Sequence, residues 1–211
     1  MTGPVIAIDG PAGSGKSTVA AALARRLGVP HVDTGAYYRA ATLAVLRTGA
    51  DPSSAAEVLA VLDRVHIARR AGHTLLDGED VEQRIRTDQV TAAVSAVAAH
   101  PDVRRRLVVL QRAEAGEGAV VEGRDAASVI VPDAELKVWL TAPPAVRAAR
   151  RAAQQGHADE AVIERVTTQL LARDDADSPN TFLDADAVVI DTADLTVDAV
   201  VARVVDLVRA A

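Results

Sequence analysis

The 211-residue chain has no cysteine, only two lysines, a single asparagine, and no apolar run approaching the roughly 18 residues that a membrane span requires. Without cysteine there is no disulfide framework, no thiolate metal site and no cysteine nucleophile, which removes several enzyme classes at once. The segment from Met1 to Asp9 has neither a basic region nor a small-residue cleavage site, so a cytoplasmic protein with no membrane partner is expected. Positive charge is not in excess either. A formal net charge of -6 sets aside a broad polyanion-binding surface, and with it a nucleic acid polymer as partner. A few arginines converging in a cleft still suit a small anion, whatever the total charge. Internal repeats and a clear interdomain linker are also missing, and 49% hydrophobic residues are ample for one core, so residues 1–211 are read as one domain.

What is present is an alternation of strand and helix patterns. Val5-Ile6-Ala7-Ile8 reads as a buried strand, followed by a glycine-rich turn and a helix with Val19, Leu23 and Leu27 on one face, closed by Gly28. Apolar runs recur at 119–121, 136–140 and 187–190. Helix starts are marked at Asp51-Pro52, Thr87-Asp88, Pro101-Asp102 and Pro143-Pro144, the last opening a helix to Gln155, and a final helix runs from about Thr196 to Arg209. This alternation predicts an α/β fold with a parallel sheet. Two short β-like runs between Val65 and Val81 flank Ala71-Gly72-His73 and predict a hairpin outside that sheet, within an insertion from Tyr37 to about Pro101.

Gly10-Pro11-Ala12-Gly13-Ser14-Gly15-Lys16-Ser17 fits the phosphate-loop pattern G-x-x-x-x-G-K-[ST], placed between a strand and a helix as its mechanism needs. Glycines let the backbone N–H groups face the phosphates, and the helix start adds positive potential. Lys16 is then expected to reach the β- and γ-phosphates of ATP, and the Ser17 hydroxyl to bind Mg²⁺, with Gly10 to Thr18 forming the ATP site. GTPase-type base recognition by N-K-x-D is excluded, because Asn180 is followed by Thr181. A small-molecule kinase remains, with an ATP-dependent regulator as the other class.

The acceptor follows from charge. A phosphate acceptor is largely dianionic at pH 7 and needs cations rather than a base, and arginine holds its oxygens in a fork. Candidates are Arg39, Arg104, Arg124 and the cluster Arg147, Arg150 and Arg151, whereas Arg105, Arg106 and Arg165 read as solvated helix faces. Arg124 stands out because Glu122-Gly123-Arg124-Asp125 follows a strand, and ligands gather at the carboxyl ends of parallel strands.

The chain resembles the bacterial cytidylate kinases, a branch of the nucleoside monophosphate kinases. The resemblance is carried by Ile8 to Ser17, Asp33-Thr34-Gly35-Ala36-Tyr37-Tyr38-Arg39, Gly78-Glu79-Asp80-Val81, Val94 to Ala99, Pro101-Asp102-Val103-Arg104, Gln111-Arg112, Glu122 to Asp125, Pro132-Asp133-Ala134 and Arg173-Asp174. It implies a three-layer α/β/α P-loop fold with a five-stranded parallel sheet, a core of 1–36 and 102–211, an inserted monophosphate-binding subdomain of about 37–101 and a lid of about 147–173. It implies an ATP- and Mg²⁺-dependent monomer that phosphorylates CMP and dCMP. Ser95, Arg104 and Asp125 would read cytosine with Thr34 nearby, Arg39 and Arg124 would hold the acceptor phosphate, and Arg173 and Asp177 would face the sugar. Lys16, Arg39, Arg124, Arg147 and Arg151 would act on the transferring group.

The chain departs from the family where Ala126-Ala127-Ser128 replaces the usual Ile-Gly-Thr, and where Asp177-Ser178-Pro179-Asn180 lacks a final arginine. A side chain at Ala127 is strained if that backbone requires a positive φ. Two other readings stay open on this ground: a kinase for a modified pyrimidine monophosphate, and a nucleotide sensor without turnover.

Overall fold

The computed structural model describes residues 3–70, 72–154, 156 and 159–210. In chain order the elements are β1 (Val5–Asp9), α1 (Lys16–Leu27), β2 (His31–Asp33), α2 (Thr34–Thr48), α3 (Ala55–Leu62), β3 (Ile67–Arg70), β4 (His73–Leu76), β5 (Glu79–Asp80), α4 (Asp88–Ala98), α5 (Pro101–Ala115), β6 (Ala119–Gly123), β7 (Leu136–Thr141), α6 (Pro144–Gln154), α7 (Glu160–Asp177), β8 (Val188–Asp191) and α8 (Val197–Ala210). Ala126–Ile130 forms one π-helical turn. Among the described residues, no helix is long and apolar enough to cross a membrane.

The chain forms two compact units. One takes the described residues up to His31 and those from Glu117 onward, and the other runs from Val32 to Gly116. The second therefore includes all of α2 and α5 as well as the stretch expected as an insertion.

The first unit carries the five-stranded parallel sheet ordered β2-β6-β1-β7-β8 except for Val32 and Asp33 of β2, with helices on both sides. The three apolar runs expected as strands after β1 are β6, β7 and β8. β1 pairs with β6 on one side and β7 on the other, in registers that set Ile8 beside Glu122 and Asp9 beside Gly123. Ile6, Ile8, Val120, Val138, Leu140 and Ile190 are buried together with Leu23 of α1 and Val200 and Val204 of α8. That packing fixes the carboxyl ends of β1 and β6, where the chemistry-bearing residues begin. Gly28 closes α1 in a left-handed conformation, its N–H donating to the Ala24 carbonyl.

The second unit is mainly helical. α2 lies at its centre, buried on nearly every side from Ala36 to Val45, with α3, α4 and α5 around it. The expected hairpin is a three-stranded antiparallel sheet, β3-β4-β5, with Ile67 opposite Leu76 and Leu75 opposite Asp80. Ala71 of that expected turn, and Gln155, His157 and Ala158 of the expected lid, lie outside the described residues. The remainder of 147–173 forms parts of α6 and α7, packed on each other through Ala148, Val166 and Leu170.

Candidate active site

The phosphate loop links β1 to α1. A Cβ at Gly10 would lie 2.1 Å from the Leu140 carbonyl oxygen, so only glycine lets the loop leave the sheet there. Gly15 precedes α1 at φ 93°, and no side chain caps the helix. The first-turn N–H groups are thus left to face an anion, with no acidic residue in that turn to oppose one.

Three cations hold the loop from within this unit. Lys16 Nζ donates to the Pro11 carbonyl at 2.7 Å, Arg124 Nη1 to that of Gly10 at 2.8 Å, and Arg147 Nη1 to that of Ala12 at 2.7 Å. Arg147 is buried, also donates to the Ala142 carbonyl, and pairs with Asp174 at 2.6 Å, while Asp174 accepts the Ala12 N–H at 2.9 Å. Arg150, half-buried, donates to the Thr192 hydroxyl and carbonyl, and Thr192 donates in turn to the Ser14 carbonyl. Arg147 and Arg150 therefore brace the loop's frame instead of forming an exposed face.

Positive charge is concentrated around this loop. Burial pushes the Lys16 ammonium well below its ordinary pKa, and the neighbouring Arg124 charge pushes the same way. Burial likewise lowers Arg173, joined by repulsion from Arg124 and Arg151. Arg124 and Arg173 share one carboxylate, Asp177, at 3.2 and 3.7 Å, and Arg173 Nε is a buried donor with no hydrogen-bond acceptor. Like charges held this close, with an N–H left over, suit a multiply charged anion.

On the acidic side, Ser17 Oγ donates to Glu122 Oε2 at 2.8 Å, and His31 Nε2 lies 2.9 Å from Glu122 Oε1. The hydroxyl and the carboxylate are hard oxygen donors. Mg²⁺ usually keeps several waters and takes one or two protein oxygens beside substrate phosphates, so this small set fits it. No cluster of three or more metal-binding side chains occurs among the described residues.

Asp9 ends β1 and accepts the N–H groups of Ala126 and Ala127 at 2.9 and 2.8 Å. Burial raises its pKa to about 6, against the lowering effect of those two bonds, with the Asp125 charge adding to the rise. The turn that follows buried Asp125 is thereby pinned to the sheet. Asp77 is the one non-glycine at positive φ among the described residues, so Ala127 carries no left-handed strain.

In the second unit, Thr34 opens α2 behind Asp33, whose carboxylate caps the helix by accepting the Ala36 N–H at 3.0 Å and pairs with Arg86 at 2.7 Å. Arg39 is buried and donates to the Ile85 carbonyl and to Thr91 Oγ1. Arg104 donates to the Ala98 carbonyl and stacks 5.6 Å from the centre of the Tyr38 ring, and Ser95 lies on α4. Thr34, Arg39, Ser95 and Arg104 thus belong to this unit, and Arg124, Asp125, Arg173 and Asp177 to the other.

Sequence reasoning assigned no role to Asp9, His31, Glu122, Asp174 or Thr192. Glu122 had a usable signal, an acid ending an apolar strand just before Arg124. The contacts of Asp174 and Thr192 join positions 162 and 178 residues apart, which no local pattern reveals.

A family model described as cytidylate kinase matches residues 6–210. The cytidylate kinase of Mycobacterium leprae (strain Br4923) is 47% identical over an alignment 218 positions long, covering 99% of this chain and 97% of that protein. That of Streptomyces avermitilis is 44% identical, covering 97% of this chain and 92% of its own length. A solved structure of an uncharacterized protein from Eubacterium ventriosum aligns over 99% of both chains with a TM-score of 0.55 at 15% identity, a likeness of fold alone. With a family match that takes in the phosphate loop, its arginine braces and the acid-ended strand beside it, this chain belongs to the cytidylate kinase family.

Proposed function

We propose that the protein transfers the γ-phosphoryl group of ATP to CMP, and to dCMP, as a cytoplasmic monomer. The observation that carries this reading is that buried Lys16 and Arg173 both lie against the Arg124 charge beside an uncapped helix start, with Arg173 Nε a buried donor lacking an acceptor. Their charge would offset that spread over the γ-phosphoryl oxygens as the acceptor phosphate attacks in line. No general base is needed, since the acceptor is already anionic. Mg²⁺ entering with ATP would be held by Ser17 with Glu122 behind it and would supply further charge neutralisation. Gly10 to Thr18 would cradle the donor phosphates, with Arg147, at the fixed end of the lid of about 147–173, holding the loop in shape while closure of the rest of the lid excludes water.

On the acceptor side, Arg39 and Arg124 would hold the phosphate, Arg173 and Asp177 the sugar, and Thr34, Ser95, Arg104 and Asp125 the base. A carboxylate at Asp125 accepts from the 4-amino group of cytosine, whereas uracil presents an oxygen there. That mismatch costs about 1–3 kcal/mol, so CMP should exceed UMP in kcat/KM by roughly ten- to a hundredfold. The reading as a kinase for a modified pyrimidine rests on Ala126 and Ala127 lining an altered base pocket; both are buried, and Ala127 carries no left-handed strain. ADP release measured over CMP, dCMP, UMP, AMP and GMP tests the proposal, repeated with Asp125→Asn. CMP and dCMP should lead, and asparagine, which can donate to the uracil oxygen, should narrow the gap to UMP. Equal kcat/KM for CMP and UMP in the unaltered protein would sink it.

A further inference from the structure

Glu122 is engaged differently at its two oxygens: Oε2 accepts the Ser17 hydroxyl at 2.8 Å and Oε1 faces His31 Nε2 at 2.9 Å. In the pairing argued here Glu122 Oε1 accepts and the histidine donates through its Nε2–H. The glutamate side chain is 4% exposed and the histidine 22%, so little water is available to replace either donor. Both ends are anchored by the sheet. β6 sets Glu122 beside Ile8, and β2, its neighbour in the sheet, presents His31, with the Val120 N–H bonded to the Pro30 carbonyl at 2.9 Å. A turn of the carboxylate about its last bond would break both contacts together.

We propose that His31 is a positioning residue for phosphoryl transfer: its N–H locks Glu122 so that Oε2 accepts the hydrogen bond from the Ser17 hydroxyl, leaving a serine lone pair for Mg²⁺. This rests on the reading of Ser17 as a metal ligand. Removing His31 takes the N–H from Oε1 of the buried carboxylate, so Oε2 is held less firmly toward the serine hydroxyl. Groups that act through a metal ligand in this way typically change metal affinity by 10–100-fold.

The test is the affinity of the whole protein for ADP by calorimetry, with Mg²⁺ and with EDTA, expressed as the ratio of the two dissociation constants. In His31→Ala the Mg²⁺-dependent gain should fall roughly tenfold, with affinity in EDTA unchanged within about twofold. His31→Gln, which regains an N–H donor, should keep most of the gain. A wild-type ratio in His31→Ala would overturn the proposal. So would equal weakening with and without the metal, because that marks a role in the fold alone. Should His31→Ala not fold, His31→Phe against His31→Gln gives the same contrast. Ser17→Ala should erase the gain. If it does not, the reading of Ser17 has failed and the proposal falls with it, whereas a full Ser17 effect beside an unchanged His31→Ala ratio removes the histidine role only.

Discussion

Apart from Arg147, which Asp174 and two carbonyls match, the phosphate-loop unit crowds its buried positive charge, whereas the helical unit matches it. In the phosphate-loop unit the Arg124 charge opposes both Lys16 and Arg173, Arg151 also opposes Arg173, Arg124 and Arg173 share the carboxylate Asp177, and burial holds Lys16 and Arg173 below their ordinary pKa. In the helical unit Arg39, Arg69 and Arg86 each have at least two acceptors, with Glu82 common to Arg69 and the exposed Arg86. Arg69 lies with Glu114 at 3.3 Å and Glu82 at 3.9 Å, Arg86 with Asp33 and Glu82, and Arg39 with a carbonyl and a hydroxyl. Crowded charge of this kind suits a multiply charged ligand, and matched charge suits a unit whose fold must stand by itself.

Removing one cation from each unit breaks this contrast most directly. Lys16→Met keeps the methylene stem and should lower kcat/KM about a thousandfold, some 4 kcal/mol of transition-state stabilisation. The same change relieves a buried charge beside Arg124, so the thermal midpoint should stay within about 3 °C of wild type. Arg69→Met should do the reverse. Arg69 is 2% exposed at its side chain, and its loss leaves Glu114, which also accepts from the Tyr37 hydroxyl at 2.9 Å, short of a cation. Stability should fall by about 3 kcal/mol, with kcat unchanged for the folded fraction. Denaturant titration beside steady-state kinetics reads both. If Lys16→Met costs stability and Arg69→Met costs kcat, the division between the units is wrong.

The same contrast explains what could be read in advance. Strand β1, the phosphate loop and α1 were legible because an apolar run, fixed glycines and one buried helix face each have a local pattern, and β6, β7 and β8 followed as apolar runs. Helix α2 was not legible: buried from Ala36 to Val45 on nearly all sides, it shows no apolar stripe at a period of 3.6. β2 has three residues, two of them polar, and α7 buries only Val166 and Leu170, so neither carries a periodic signal. In the site, the loop residues were readable from spacing, and the acids that brace them were not, because their partners are remote in sequence. The absence of strain at Ala127 needed the backbone itself.

Asp9 extends the comparison to the acidic side of the phosphate-loop unit. Its pKa is raised from 3.8 to about 6 in the folded protein, so the native state holds the proton more tightly than the unfolded chain. Stability from this group is fully present below about pH 4, is lost as pH rises towards 6 and is level above about pH 7, a total of about 3 kcal/mol. In Asp9→Asn that dependence should vanish. The variant's own offset, from an amide N–H facing one of the two backbone donors, is the same at every pH. Unfolding free energies of the two proteins should therefore diverge in favour of the variant between pH 4 and 7. A constant difference would show that Asp9 titrates as an ordinary carboxylate and that this unit stores no such cost.

The smallest effect concerns the turn that Asp9 pins. If Ala127 strained the loop, Ala127→Gly would stabilise the protein and sharpen base selection. The structure predicts the opposite sign. Ala127 is buried, its N–H is held by Asp9 Oδ2 at 2.8 Å, and its φ lies outside the left-handed region, so glycine gains nothing in the folded state and loses more freedom on folding. Stability should drop by about 0.5–1 kcal/mol. The ratio of kcat/KM for CMP over UMP should stay within about twofold, because Asp125 keeps its place through the Ala126 N–H bond that glycine at 127 leaves intact. Thermal unfolding beside the two substrate titrations decides the sign. A gain in stability would mean that this one turn, inside the unit that carries crowded charge, is strained in its backbone as well.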